Sequence, residues 1–333
     1  TYVLSTTDYG TVDLMTTTVQ LLIPILTINI QDAVLRFSLD EKCDGEEVIG
    51  EALKIIAMSS VLLAVALFII GKSSILKIDN QYLYFLFFSF VFGTTNNCFS
   101  MYLRARNKVS ILTISGLMNT ILTCSLNIVL LLYVKIGVTG YLVANVAGTG
   151  IAIIFMFFAG NLYKEAKFRN TNHLLKIMIP YSLPLVVNSL AWWVNNASDR
   201  YILTFFCGAA INGIYAVAYK IPTILSTIQS VFYNAWSISA IIEFDKDDKD
   251  GFIGNVYTMY SSASYLGCTI LLVLNIFVAK ILYSNDFFVA WKYVPFLLVG
   301  TVFNGIALFE GCIFTAVKKT KDVSITTIMG TLV

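Results

Sequence analysis

Lys220 lies about a third of the way into a long apolar stretch, Gly208 to Ile242. Steps of three and four from it reach Thr223, Thr227, Ser230 and Asn234, so one continuous helical face is polar inside a greasy segment. A cation near the middle of a spanning helix costs several kcal/mol unless it meets water or a partner. That face therefore reads as the wall of a polar passage, with Lys220 as a point charge suited to an anion such as phosphate. The alternative for Lys220 is a structural pair with a carboxylate on another helix, such as Asp13.

A second polar face occurs between Ile177 and Phe206. Asn188, Trp192, Asn195 and Asp199 recur at i, i+4, i+7 and i+11, with Pro184 as an expected kink. Asp199 reads either as a carboxylate facing the passage or, with Arg200, as an ion pair near the outer helix end. Trp192 reads as an interfacial belt residue or as a surface for stacking sugars. Asn234, Gln229, Gln20, Gln31 and Asn145 suit hydrogen bonds between helices as an alternative to substrate contacts. Gly116, Gly148, Gly150 and Gly305 suit close helix packing, Glu310 is ambiguous, and His173 falls in a polar link.

The elements that position these residues follow from composition. Only 13% of the 333 residues are charged and the mean hydropathy is +0.78, against roughly a quarter charged in soluble domains. An all-α polytopic membrane protein is expected. A net charge of +2 without basic runs excludes a nucleic-acid footprint. The six cysteines are scattered without metal-ligand spacing and read as packing residues. Stretches of about 20 apolar residues place spans at 11–35, 48–71, 81–103, 109–133, 138–160, 177–206, 209–242, 253–281 and 288–316, with a tenth from 322.

Basic residues orient them. One set of alternate links holds Arg36 and Lys42; Arg104, Arg106 and Lys108; Lys164, Lys167, Arg169 and Lys176; Lys246 and Lys249; and Lys318, Lys319 and Lys321. The other holds only Lys72, Lys77, Lys135, Lys280 and Lys292. The first set is assigned to the cytoplasm and the N-terminal residues to the outside.

The chain also repeats. Tyr9-Gly10-Thr11-Val12 and Asn212-Gly213-Ile214-Tyr215 both open long helices, 203 positions apart, and both helices lead to acidic cytoplasmic links. That offset maps the Lys220 face onto Thr17, Gln20, Pro24, Thr27 and Gln31, so Asp13, Thr17, Gln20, Thr27 and Gln31 form a matching stripe. The expected architecture is two helical bundles related by a parallel repeat around a central cavity. Residues 1–160 form one lobe, 161–176 a cytoplasmic link with an interfacial helix, and 177–333 the second lobe. On this pattern one helix is expected before Thr1 and at least one after Val333.

No P-loop, HExxH, GxSxG or dinucleotide fingerprint is present. No catalytic residue, metal or cofactor is therefore expected. The driving force is left to an ion gradient (H+ or Na+), a substrate gradient or downstream consumption.

One long segment carries a resemblance. It runs Ile179-Pro180-Tyr181-Ser182-Leu183-Pro184, Asn188 to Trp193, Ser198-Asp199-Arg200-Tyr201-Ile202-Leu203, Gly213 to Pro222 and Ala235-Trp236. It resembles the central signature of bacterial oligosaccharide flippases, the O-antigen and capsule-type exporters of the multidrug/oligosaccharidyl-lipid/polysaccharide superfamily. Asp8-Tyr9-Gly10 is similar to the turn after their first helix, and Arg36 to the basic residue closing their second. The resemblance implies two helical lobes around a cavity in the bacterial cytoplasmic membrane. It implies movement of undecaprenyl-diphosphate-linked oligosaccharide between leaflets by alternating access, with Lys220 and Asp199 at cavity positions that matter in the family. Expected partners are that lipid-linked oligosaccharide, membrane lipids and glycan-assembly proteins. The sugar itself is not implied. Competing readings are a cation-coupled multidrug exporter, which favours cavity carboxylates over a lysine, a membrane polysaccharide polymerase, which needs larger external loops, and a non-transporting scaffold.

Overall fold

Backbone amides inside hydrocarbon have no water to bond, so an apolar chain with few breakers closes its hydrogen bonds within helices. The computed structural model describes residues 2–40, 43–72, 79–166, 172–242, 251–316 and 330, and among them there are twelve α-helices and no strands. These are α1 (Thr6–Thr27), α2 (Ile30–Ser38), α3 (Gly45–Lys72), α4 (Asn80–Ala105), α5 (Val109–Ile128), α6 (Gly137–Ala159), α7 (Leu162–Glu165), α8 (Asn172–Cys207), α9 (Ala209–Ala218), α10 (Lys220–Ile242), α11 (Phe252–Leu282) and α12 (Val294–Ala316). Seven described helices are long and apolar enough to cross a membrane. The chain is an all-α polytopic membrane protein. Helices α4 and α10, at 26 and 23 residues, also have the length to span. The tenth expected span, from 322, lies outside the described residues apart from Gly330.

Four expected spans are subdivided. In 109–133, α5 ends at Ile128 and the span finishes as a π-helical turn, Val129–Tyr133. Residues 11–35 are two helices, because Ile28 and Asn29 both turn left-handed at φ 53. That region is rare for a β-branched residue, at about 1–2 kcal/mol. Local bonds compensate: Ser59 donates to the carbonyl of Leu26 at 2.7 Å, and the Asn29 amide donates to Asp32 and Ser189, each at 2.9 Å. Residues 209–242 are α9 and α10, separated at Tyr219. Pro222 has no N–H for the Ala218 carbonyl, which interrupts the ladder there. Residues 288–316 begin with a 3-10 segment, Asn285–Lys292, before α12. By contrast, α8 continues as helix through both Pro180 and Pro184.

The chain divides into two compact units, with boundaries inside α1 and α8. One comprises Leu14–Ala197. Its main core joins Ile30 and Val34 of α2, Ile49 and Ala52 of α3, Phe99 and Leu103 of α4, Met156 of α6, Leu162 of α7 and Met178 of α8. At the cytoplasmic side of this unit, in the orientation expected from the basic links, Lys108 bridges Glu165 and the Gly160 carbonyl, both at 2.8 Å. Tyr102 donates to Glu165 at 2.9 Å. Of the link 161–176, Leu162–Glu165 form α7, held by this cluster, and 172–176 already belong to α8; residues 167–171 lie outside the described residues.

Burial raises the pKa of Glu165, but the hydrogen bonds from Lys108 and Tyr102 outweigh it and hold the carboxyl below its usual range. The folded carboxyl thus resists protonation more than the unfolded one. Its stabilising contribution is full above the ordinary glutamate pKa and disappears as pH falls through the lower folded value. Glu165→Gln should flatten the acid limb of a thermal-stability profile by about 1 kcal/mol and leave neutral-pH topology unchanged. An unaltered acid limb would remove Glu165 as its cause.

The other unit comprises Thr1–Asp13 and Ser198–Val333. Val217, Ile221 and Leu225 pack with Phe287, Val294 and Leu298. Around Trp236 a second core stacks its ring on Phe309 at 4.4 Å.

Within this unit the 203-residue repeat becomes a physical contact. A Cβ added to Gly10 would meet the carbonyl of Ala209 and lie 2.7 Å from the nitrogen of Gly213. A Cβ added to Gly213 would meet the carbonyl of Thr6 and lie 3.0 Å from the nitrogen of Gly10. Thr6 and Ala209 are themselves 203 residues apart. Reciprocal contact between equivalent residues is the signature of a local two-fold relation.

Candidate functional site

In the orientation expected from the basic links, the outer end of the second unit gathers most of the charged groups that sequence singled out. Arg200 on α8 pairs with Asp13 on α1 at 2.6 Å, the side chains being 21% and 15% exposed. The Asn212 amide on α9 donates to the Gly10 carbonyl at 3.0 Å and to the other Asp13 oxygen at 3.4 Å. The Gly10–Gly213 approach makes this possible, because it brings the first turns of α1 and α9 together. The Arg200 guanidinium also lies over the Tyr219 ring, 5.5 Å from its centroid.

Asp199 does not pair with Arg200, as the ion-pair reading had it. Adjacent helical positions point about 100° apart, and the two side chains find different neighbours. Asp199 accepts a hydrogen bond from the Tyr215 hydroxyl, which lies 3.3 Å from the Tyr219 hydroxyl. Nor is Lys220 the partner of Asp13; it adds a weaker attraction at that carboxylate than Arg200 does.

Lys220 instead opens α10 and is exposed, as are Thr223, Thr227 and Ser230. The three hydroxyls donate to carbonyls of their own helix, Tyr219, Thr223 and Thr227, at 2.7, 2.7 and 2.8 Å. They present a polar ladder without engaging a neighbouring helix. The Asn234 side chain lies outside the described residues.

In the Leu14–Ala197 unit, Asn188, Trp192 and Asn195 are exposed on α8, and Gln20 is exposed on α1. Gln31 is half-buried; its amide donates to Asn29 at 2.8 Å, and Thr27 donates to Gln31 at 3.4 Å. Trp193 donates to the Thr17 carbonyl at 3.0 Å. Arg36 is exposed on α2. The matching stripe of α1 is thus not one open face: Thr17 and Thr27 are buried, and α1 ends before Gln31. Gln229 is buried against Ser264, and Asn145 bonds the Tyr141 carbonyl of its own helix. Of the glycines expected at close packing, Gly148, Gly150 and Gly305 have side chains against them, whereas Gly116 has nothing within 4 Å.

Sequence reading passed over Asn212, Tyr215 and Tyr219 as site residues. Their spacing of i, i+3 and i+7 puts them on one face of the α9 segment, which was the available signal. Asn29 and Ser189 carried no comparable signal, since their pairing spans 160 residues.

Removing one partner from a poorly solvated ion pair strands the other charge, at about 3–5 kcal/mol in full burial and less with this exposure. Arg200→Met should therefore lower the melting temperature in detergent more than Asp13→Leu with Arg200→Met together. A double variant less stable than both single variants would contradict the pairing.

No curated protein sequence is matched by this chain. Among solved structures, one is the inward-facing conformation of a multidrug resistance MATE family transporter of the MOP superfamily. It aligns at TM-score 0.70 and 14% identity over 98% of this chain and 81% of that one. The outward-facing conformation of a MATE family transporter of the same superfamily aligns at 0.62 and 13% identity, over 96% and 76%. A MOP superfamily transporter from Pyrococcus furiosus, whose binding pocket is described as having reverse polarity, aligns at 0.60 and 14%, over 96% and 76%. At such identities the likeness is one of fold. The polysaccharide biosynthesis protein family, in contrast, matches in sequence over residues 1–237, which includes α1 to α9, Lys220 and most of α10. The chain belongs to the polysaccharide biosynthesis protein family and has the fold of the MOP-superfamily transporters.

Proposed function

We propose that this protein carries undecaprenyl-diphosphate-linked oligosaccharide from the inner to the outer leaflet of a bacterial cytoplasmic membrane. The observation that carries the reading is the exposed ladder of Lys220, Thr223, Thr227 and Ser230 on a helix of spanning length. Lipid is a poor neighbour for that face, because it offers an ammonium and three hydroxyls neither a counter-charge nor water. Water and an anionic, hydroxyl-rich substrate are good neighbours. A lipid-linked sugar has both a diphosphate for the ammonium and a large polar head that hydrocarbon excludes. Alternating exposure of this face to the two sides would move it.

Membership of the polysaccharide biosynthesis family supports a glycan substrate. A cation-coupled drug exporter is favoured less, because the Asp13 carboxylate is already engaged by Arg200 and Asn212. Export would draw on an ion gradient or on consumption of the glycan outside; H+ and Na+ are the coupling ions to examine. Glycan-assembly proteins are the partners expected at the receiving side.

The direct test is cysteine accessibility. Thr227→Cys and Ser230→Cys should react with a membrane-impermeant maleimide and be protected by purified lipid-linked oligosaccharide. Absence of labelling from either side, with both variants folded, would place this face against lipid or protein and end the proposal.

A further inference from the structure

Two apolar grooves flank the first half of α4 within the Leu14–Ala197 unit. The first, about 380 Å3, runs between α3 and α4, lined by Ala64, Leu67, Phe68 and Leu83, with Lys72 and Asn80 at the helix ends. The second, about 410 Å3, runs between α4 and α6 along Phe85, Phe88, Leu142 and Val146. At the same end the Thr139 hydroxyl donates to Gln81 at 2.7 Å, in a polar closure. Tyr84 borders both grooves. Each volume lies in the range of small-ligand pockets, roughly 300–1,000 Å3.

Charge at the common end is specific. The Lys72 ammonium is exposed, lies 4.6 Å from the Phe68 ring centroid, and forms no ion pair among the described residues. The one carboxylate adjoining the groove in sequence is Asp79, which precedes α4 and makes no side-chain cap. The Asn80 and Gln81 amides, the first of α4, keep donors that an anion could take, whereas the Tyr82 amide already bonds the Asp79 carbonyl. In the orientation set by the basic links, Lys72 ends α3 at the outer membrane edge, where phospholipid headgroups lie.

We infer that this unit binds one anionic phospholipid of the outer leaflet astride α4, its phosphate at Lys72 and Asn80 and one acyl chain in each groove. Two grooves on either side of Tyr84 on one helix suit a two-chain lipid. A single isoprenoid chain would occupy one and leave the other empty. The site shares no residue with the Lys220 ladder and does not rest on the transport reading.

Native mass spectrometry of the full chain with equimolar phosphatidylglycerol and phosphatidylethanolamine of identical acyl chains tests this. A basic residue at a headgroup favours the anionic lipid about fivefold. Phosphatidylglycerol should be retained by that factor in the unaltered protein and in Lys72→Arg, fall toward parity in Lys72→Gln, and gain in Asp79→Asn. Ala64→Trp and Val146→Trp should each reduce retention of both lipids by filling one groove. Should those variants unfold, the exposed Lys72 pair decides alone. Equal retention of the two lipids by the unaltered protein, or an unchanged ratio in Lys72→Gln, would overturn the inference. So would displacement of the bound lipid by undecaprenyl diphosphate at equal concentration, which would assign the grooves to an isoprenoid.

Discussion

Replacing Lys220 by alanine is expected to abolish complementation of a flippase-deficient strain while the protein inserts at normal levels. Alanine is the best helix former, so α10 keeps its first turn, and the exposed ammonium is lost without opening a core cavity. A charge-assisted hydrogen bond contributes about 1.5–3 kcal/mol, so transport of an anionic substrate should fall about ten- to a hundredfold. Lys220→Arg should retain most of the export, since it keeps the charge and changes only its shape. Thr223→Ala should have a small effect, because the Thr223 hydroxyl is already satisfied by its own helix. Glycan at the cell surface, normalised to membrane protein, is the measurement. Full export by Lys220→Ala would separate this residue from the substrate and leave the polar ladder without its anion.

The second large effect is predicted at the paired glycines. Gly10→Ala or Gly213→Ala places a methyl group against backbone atoms of the facing helix, at 2.7 and 3.0 Å from the opposing nitrogens and nearer still to the carbonyls. Backbone inside a helix cannot rotate aside as a flexible side chain can, so the two helices must separate. Overpacking of this kind costs about 1–3 kcal/mol and occasionally more. Separation would also pull Asn212 from the Gly10 carbonyl and Asp13, weakening the seat of Arg200. Each variant should melt several degrees lower in detergent. Because both act on one contact, the double variant should lose less than the sum of the single losses. Unchanged melting temperatures in both would mean that α1 and α9 do not meet here in solution.

These glycines also show where sequence reading reached its limit. Their 203-residue spacing, and the acidic links after each helix, were legible because a repeat writes similar residue types at equal intervals. That the two copies touch each other was not legible, since periodicity orders residues along one helix and says nothing of its neighbour. The helix breaks divide in the same way. Pro222 carries a mechanism that any sequence reading can use, although its position inside an apolar run suggested one span over 209–242. Ile28 and Asn29 carry none: a left-handed isoleucine is accepted because Ser59 donates to the Leu26 carbonyl and Asp32 and Ser189 anchor the Asn29 side-chain amide.

Hydropathy, helix period and basic-residue placement act within single segments, and they alone determined an all-α membrane protein, its polar ladder at Lys220 and its internal repeat. Which charge meets which was decided by the tertiary structure. Arg200 reaches Asp13 across 187 positions, and Asp199, beside it in sequence, turns to Tyr215. In a low-dielectric interior every charge must find a partner or water, and the choice among candidates depends on helix rotation and approach distance. Those are properties of packed helices that no single segment contains.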